Sequence, residues 1–277
     1  MSLKIVTKKE RQEEANYSKG LIVGLQGTGK TYLLNTLDPK TTLFVDLEAG
    51  DMSVKRWEGE YTLRPENWEE FINLSCLLGG PDYSVKNGVF SENHYNNVVE
   101  AYGKDLQELI DKKIKTIFVD SISDASMFAM RFANASPEAI SEKTGKFNKL
   151  GAYGLVRETQ ENVLKQIQRA RNKNVWFTAN LVVKTDPDTG LITKSIDMYG
   201  SVSTKLPYIV DHVLILENLP KEDRTVGRRL ICKKESGEML VKTRSSALDV
   251  YEKPDLGELQ ERIMNGKLEG EETNEWT

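Results

Sequence analysis

The feature that most constrains this chain is the run LIVGLQGTGKTYLLNTL, residues 21–37. Three apolar residues, Leu21 to Val23, break at Gly24 into a glycine-rich turn. The chain re-emerges at Lys30 as a helical-looking KTYLLNTL, stopped by Asp38-Pro39, because proline cannot continue a helix. Gly24, Gly29, Lys30 and Thr31 satisfy G-x-x-x-x-G-K-[ST]. Each part has a physical reason. Gly24, Gly27 and Gly29 let the backbone curl so that successive N–H groups converge on phosphate oxygens. Lys30 neutralises the β and γ phosphates, and the Thr31 hydroxyl is a ligand for Mg²⁺. Gln26, Thr28 and Tyr32 complete the lining. The N-terminus of the following helix is expected to add its dipole.

Four more apolar runs read as buried strands: TTLFVDLE (41–48), TIFVD (116–120), VWFTANLVV (175–183) and IVDHVLIL (209–216). Between them lie segments with helical periodicity at 105–113 and 154–172, the second with acids early and bases late. Strands apolar throughout and alternating with helices predict an α/β fold, a three-layer sandwich around a mostly parallel sheet. Residues 49–104 read as less regular. Residues 133–152 read as a mobile segment and 184–206 as turn-rich. Residues 228–244 read as a hairpin around Ser236-Gly237. The expected organisation is an N-terminal arm over 1–19 with one short strand, a core over 20–254, and a C-terminal helix with an acidic tail over 255–277.

Composition excludes several classes. Cys76 and Cys232 are far apart and form no ligand-spaced pair, which argues for a reducing cytosolic setting without structural zinc or disulfides. No apolar window reaches membrane-spanning length. The formal charge is −4, but residues 255–277 carry −5 of it, leaving residues 1–254 at +1. A near-neutral body can still hold nucleic acid in a local basic groove.

Two carboxylates complete the candidate site. Asp120 ends the apolar strand TIFVD, where it can hold Mg²⁺ through water. The next residue is Ser121, so the water-activating base must come from elsewhere. Glu48, ending TLFVDLE, is the candidate, with Asp46 a weaker rival.

This order of elements resembles the RecA-type P-loop ATPases. The stretches LIVGLQGTGKT, TIFVDSISDAS, AYGLVRETQENVLKQIQRARNKNVWFTA, LPYIVDHVLIL and KTRSSALDVYEKPDLGELQERI extend the resemblance over roughly 20–263, to a phage-encoded, core-only branch acting in single-strand annealing or recombination. The resemblance implies a sheet with the 21–24 strand between the fourth and fifth strands, and the Glu48 strand beside the Asp120 strand. It implies ATP with Mg²⁺ and a polar γ-phosphate sensor at Asn180, with Thr178 the alternative. It implies a cation, Lys242 or Arg244, reaching a neighbouring subunit's γ-phosphate in a homo-oligomer, and single-stranded DNA as partner. It also implies work in the bacterial host cytoplasm. One departure puts long filaments in doubt, since the arm ahead of the core, residues 1–19, is short where RecA proper has a polymerisation segment.

Two segments follow strands that end at the nucleotide. One carries Lys143, Lys146, Phe147 and Lys149. The other carries Lys184, Lys194, Tyr199 and Lys205. Lysines for phosphates and an occasional aromatic for stacking suit single-stranded DNA. The acidic tail with Trp276 is a candidate contact for a single-strand-binding or replication protein. His94 and His212 are isolated and take no chemical role. Three other readings stay open: a P-loop phosphotransferase, for which 49–104 offers only Arg56 and Arg64 and no lid motif; a DNA-packaging or helicase-accessory ATPase; and a non-catalytic nucleotide-controlled module, against which Lys30, Thr31, Asp120 and Glu48 stand intact.

Overall fold

A computed structural model describes residues 5, 7–10, 17–48, 50–190, 192–220, 226–233 and 240–265, and each of the five apolar runs forms a strand within it. The strands are β1 (Lys19–Gly24), β2 (Thr42–Asp46), β3 (Tyr61–Leu63), β4 (Thr116–Asp120), β5 (Asn174–Thr185), β6 (Ile192–Ile196), β7 (His212–Pro220), β8 (Val226–Ile231) and β9 (Tyr251–Glu252). The helices are α1 (Trp68–Gly79), α2 (Glu92–Tyr102), α3 (Lys104–Lys112), α4 (Ile122–Ala135), α5 (Lys149–Gln168), α6 (Val202–Ile209) and α7 (Leu256–Asn265).

The sheet runs β3-β2-β4-β5-β1-β7-β8-β9, with β6 paired to β5. β3 through β7 in that order are parallel; β8 and β9 are antiparallel additions. The expected neighbours are therefore present: β1 between β5 and β7, and β2 beside β4.

Side-chain alternation explains why both faces are covered. Leu21, Val23, Leu43, Val45, Ile117, Val119, Val175 and Phe177 bury against Phe71, Leu74, Ala125, Ala129, Val163 and Ile167 of α1, α4 and α5. Their alternates Ile22, Phe44, Phe118 and Trp176 bury on the other face with Leu33, Leu34, Leu256 and Leu259. Three layers result. α7 belongs to the second face: the Leu256 amide donates to Thr36 Oγ1 at 2.9 Å.

Several expectations need correction. The segment after the glycine turn is a six-residue 3₁₀ helix, Thr31–Thr36. Asn35 Nδ2 and Thr36 Oγ1 donate to the carbonyls of Tyr32 and Leu33, three residues back, at 3.2 and 2.7 Å, bonds that compete with α-helical geometry. A helix so short contributes little dipole, and the anion cradle rests on the turn itself. Residues 49–104 are more regular than expected, because α1 and α2 are well capped. Asn67 accepts from the Glu70 amide at 2.9 Å and Ser91 from the His94 amide at 3.2 Å. The 133–152 segment holds the end of α4, a short loop, and the start of α5, capped by Asn148. The turn-rich stretch contains β6 and α6. β8 pairs with β7 and β9 rather than with residues 240–244; the expected turn at Ser236-Gly237 lies outside the described residues. So do the acidic tail beyond residue 265 and much of the N-terminal arm, of which residues 8–10 are helical.

Candidate nucleotide site

The glycine turn stands at the carboxyl edge of the sheet, fed by β1. Gly27 and Gly29 have φ of +77° and +94°, in the left-handed region that favours glycine. Gly24 is held for a different reason: a β-carbon there would lie 2.6 Å from Thr28 Oγ1 and 2.9 Å from the Leu216 carbonyl oxygen. Thr28 is buried and its hydroxyl donates to the Leu25 carbonyl at 2.9 Å. Gln26, Gly27 and Tyr32 are exposed at the rim. Lys30 Nζ lies inside the turn, donating to the carbonyls of Gly24 and Leu25 at 3.1 and 3.2 Å. Burial lowers its pKa, while the charges of Asp120, Glu48 and Asp124 raise it. A cation held only by carbonyls, facing three carboxylates, is placed to accept a phosphate.

Asp120 is buried at the end of β4. Thr178, its register neighbour on β5, donates its hydroxyl to Asp120 Oδ1. Asp120 Oδ2 is buried without a hydrogen-bond partner. Burial pushes this carboxyl above the usual range, against the pull of the Thr178 and Thr31 hydroxyls and Lys30. An orphaned carboxylate oxygen near a threonine hydroxyl fits Mg²⁺. Among the described residues no cluster of three His, Cys, Asp or Glu could hold a metal alone. A cation would therefore take Thr31, Asp120 through water, and phosphate oxygens, as Mg²⁺ commonly does.

Glu48 lies two residues beyond the end of β2, beside this group. Partial desolvation first, then the charges of Asp120 and Asp124, raise its pKa; Lys30 lowers it. Asp46 is engaged elsewhere, accepting from Arg64 Nε at 3.0 Å. Asn180 is level with Gly24 in the β1–β5 register. Its backbone does the observed bonding: its amide donates to Ser123 Oγ at 3.0 Å and its carbonyl accepts from the Asp197 amide at 2.8 Å. Of the two sensor candidates on β5, Thr178 is the one in contact with Asp120.

Lys242 and Arg244 are not at this chain's own turn. Lys242 bridges to Val213, which is level with Leu21, so both cations stand toward the amino edge of the sheet. Lys242 Nζ donates to the carbonyls of Pro207 and Val210 at 2.7 and 2.8 Å, at the end of α6. Arg244 pairs with Asp211 at 2.7 Å.

The lysines divide. Lys143 and Lys146 are exposed on a small turn closed by the Ile140–Phe147 bridge, and Lys149 lies over the Tyr153 ring, 5.7 Å from its centroid. Lys184 and Lys194 stand on the β5–β6 hairpin. Lys205 sits on α6 and pairs with Glu161 at 2.8 Å, away from the others.

Sequence reasoning missed three residues. Ser123 and Ser126, on α4 just after Asp120, accept from the amides of Asn180 and Tyr199, at 3.0 and 2.8 Å. The serines in DSISDAS were the available signal. The third is Arg228 on β8, whose guanidinium lies against Gly29; nothing in the sequence linked it to a turn two hundred residues earlier.

A family model for AAA domains, AAA_24, matches residues 16–245. The chain belongs to that family, and family and glycine turn together define a P-loop ATPase. No curated protein matches it. Among solved structures it is similar to a RadB recombinase, at 14% identity and a TM-score of 0.36, over 77% of this chain and 79% of that one. It is also similar to an ATPase from the type III secretion system of pathogenic bacteria, at 13% identity and a TM-score of 0.38. That match covers 72% of this chain and 51% of the other, so the chain spans about half its length. Likeness of this size carries no function across. No helix among the described residues is long and apolar enough to cross a membrane.

Proposed function

We infer that this ATPase binds single-stranded DNA in an ATP-dependent manner and acts in annealing or recombination, hydrolysing ATP in a homo-oligomer. The observation that carries the reading is a hydrogen-bonded path from the nucleotide carboxylate to both lysine-bearing segments. Asp120 accepts from Thr178 on β5, and β5 runs on into the hairpin bearing Lys184 and Lys194. From Asp120 the chain enters α4, which leads to the turn bearing Lys143 and Lys146. Ser123 and Ser126 fasten α4 to Asn180 and Tyr199, and Gln160 Nε2 of α5 donates to the Tyr199 carbonyl at 3.2 Å. A change in charge at Asp120 therefore bears on both segments together.

In this reading the glycine turn, Lys30 and Thr31 hold the phosphates. Thr31 and Asp120 would hold Mg²⁺, which when bound would supply charge neutralisation at the phosphate oxygens. Glu48 takes the proton of the attacking water. Of the two basic residues proposed to serve a neighbouring subunit, Arg244 is the better fit. Its pair with Asp211 is exposed, and exposed pairs are worth about 0–1 kcal/mol; Lys242 is held by two carbonyls. The phosphotransferase reading loses support from Arg64, which is tied to Asp46 rather than free for a lid.

The test is ATP hydrolysis by the purified chain at low salt, with and without single-stranded oligonucleotide, across protein concentrations. Stimulation by the oligonucleotide that steepens with concentration is expected. Hydrolysis indifferent to DNA at every concentration refutes the coupling and favours a motor that awaits another subunit.

A further inference from the structure

Two adjacent arginines on β8 have different surroundings. Alternation sends them to opposite faces. Arg229 is built in: its Nε donates to Glu217 Oε1 at 2.5 Å and its guanidinium stacks 3.7 Å from the Tyr251 ring centroid. Arg228 is exposed and forms no ion pair with a carboxylate among the described residues. It reaches the glycine turn because the β7–β8 ladder continues past it. Val23 is level with Ile215, so Leu216 is level with Gly24, and Arg228 pairs with Asn218, two residues further on. From there the guanidinium lies over the turn. A β-carbon on Gly29 would meet Arg228 Nη1 at 2.5 Å and Cζ at 2.8 Å. Cζ is 5.8 Å from the Tyr32 ring centroid.

We propose that Arg228 is a nucleotide-binding residue that this chain supplies to its own site, gripping the phosphates proximal to the nucleoside. The proposal rests on the reading of the glycine turn as a nucleotide site. A forked guanidinium without a carboxylate, set against the turn that holds Lys30, brings two cations to one glycine turn. Guanidinium geometry matches phosphate oxygens. The position along the phosphate chain follows from which residues each cation meets. Lys30 is the cation whose charge bears on Asp120 and Glu48. Arg228 lies against Gly29 and over the ring of Tyr32, the residue after Thr31. ADP and ATP should therefore depend on it alike, and the chemical step should not.

The experiment is calorimetric titration of the full chain with Mg·ADP and with a non-hydrolysable Mg·ATP analogue, for wild type, Arg228→Gln, Arg228→Lys and Lys30→Ala. Thermal melts of the unliganded variants check folding. Charge-assisted hydrogen bonds of this kind predict about tenfold weaker binding of both nucleotides by Arg228→Gln. Arg228→Lys should recover part of the loss, because an ammonium keeps the charge but not the fork. Unchanged binding by Arg228→Gln beside a Lys30→Ala variant that no longer binds overturns the proposal and leaves the site reading intact. Loss confined to the triphosphate overturns the placement on the proximal phosphates. A wild-type chain that binds neither nucleotide removes the site reading, and the proposal with it.

Discussion

Acidification should cost this protein stability through one residue, His212. It opens β7, is 3% exposed, and lies nearly parallel to Trp176, with ring centroids 6.4 Å apart. Its Nδ1 is 2.9 Å from Thr243 Oγ1. The groups that face it are Asp211, which favours the charged ring, and Lys242 and Arg244, which oppose it. Burial is the largest cause, and the pKa falls from 6.5 to about 4. Between those values the unfolded chain binds a proton that the native chain refuses, so stability rises with pH across that window. The His212 contribution is complete above pH 6.5 and is lost on going down to about 4. At pH 5 the loss amounts to about 2 kcal/mol, and below pH 4 to about 3 kcal/mol. Carboxylates also titrate in this range, so the measurement is a difference. Urea unfolding of wild type and His212→Gln at pH 7.5 and at pH 5 gives two stability gaps. The wild type should lose about 2 kcal/mol more than the variant between the two pH values. Equal losses would refute the argument that burial keeps this ring neutral.

Four further outcomes follow from the structure. Glu48→Gln should lower the hydrolysis rate by about 10²–10⁴-fold while leaving nucleotide binding near wild type. Because Glu48 is raised above the usual carboxylate range, the acid limb of the wild-type rate profile should lie above that of an ordinary glutamate; a flat profile through pH 5 counts against it. Gly20→Ala would bring a β-carbon within 2.1 Å of Trp176 Cζ3, and overpacking beside a fully buried indole should cost about 1–3 kcal/mol in urea unfolding. Replacing Lys143 and Lys146 by glutamine should reduce the salt dependence of oligonucleotide binding, lowering the log–log slope by about 1.4 if each lysine meets one phosphate of a single strand; an unchanged slope places the DNA elsewhere.

Much of the molecule is legible in its local patterns. The apolar runs at 21–24, 116–120 and 175–183 are strands because a strand covered on both faces has no polar side to show, and that leaves a mark in the sequence. The glycine turn is legible for the same reason: backbone with positive φ at Gly27 and Gly29 needs glycine. The capping pairs Asn67 with Glu70 and Ser91 with His94 were equally local, and reading them would have found α1 and α2. Contacts between distant segments left no such mark. Whether Thr178 or Asn180 meets Asp120 depends on the β4–β5 register. Asp46 was a rival to Glu48 until Arg64, eighteen residues on, occupied it. Lys242 resembled a free cation until α6 ended beside it and offered two carbonyls.

The sequence alone therefore determined the five apolar strands, the α/β class and the phosphate turn, since each depends on hydrophobic period or backbone conformation over a few neighbouring residues. The tertiary structure alone decided which polar groups share the site. Hydrogen bonds and charges act over a few ångströms in space, and the residues that supply them, from Gly29 to Arg228, are joined by sheet register rather than by sequence distance.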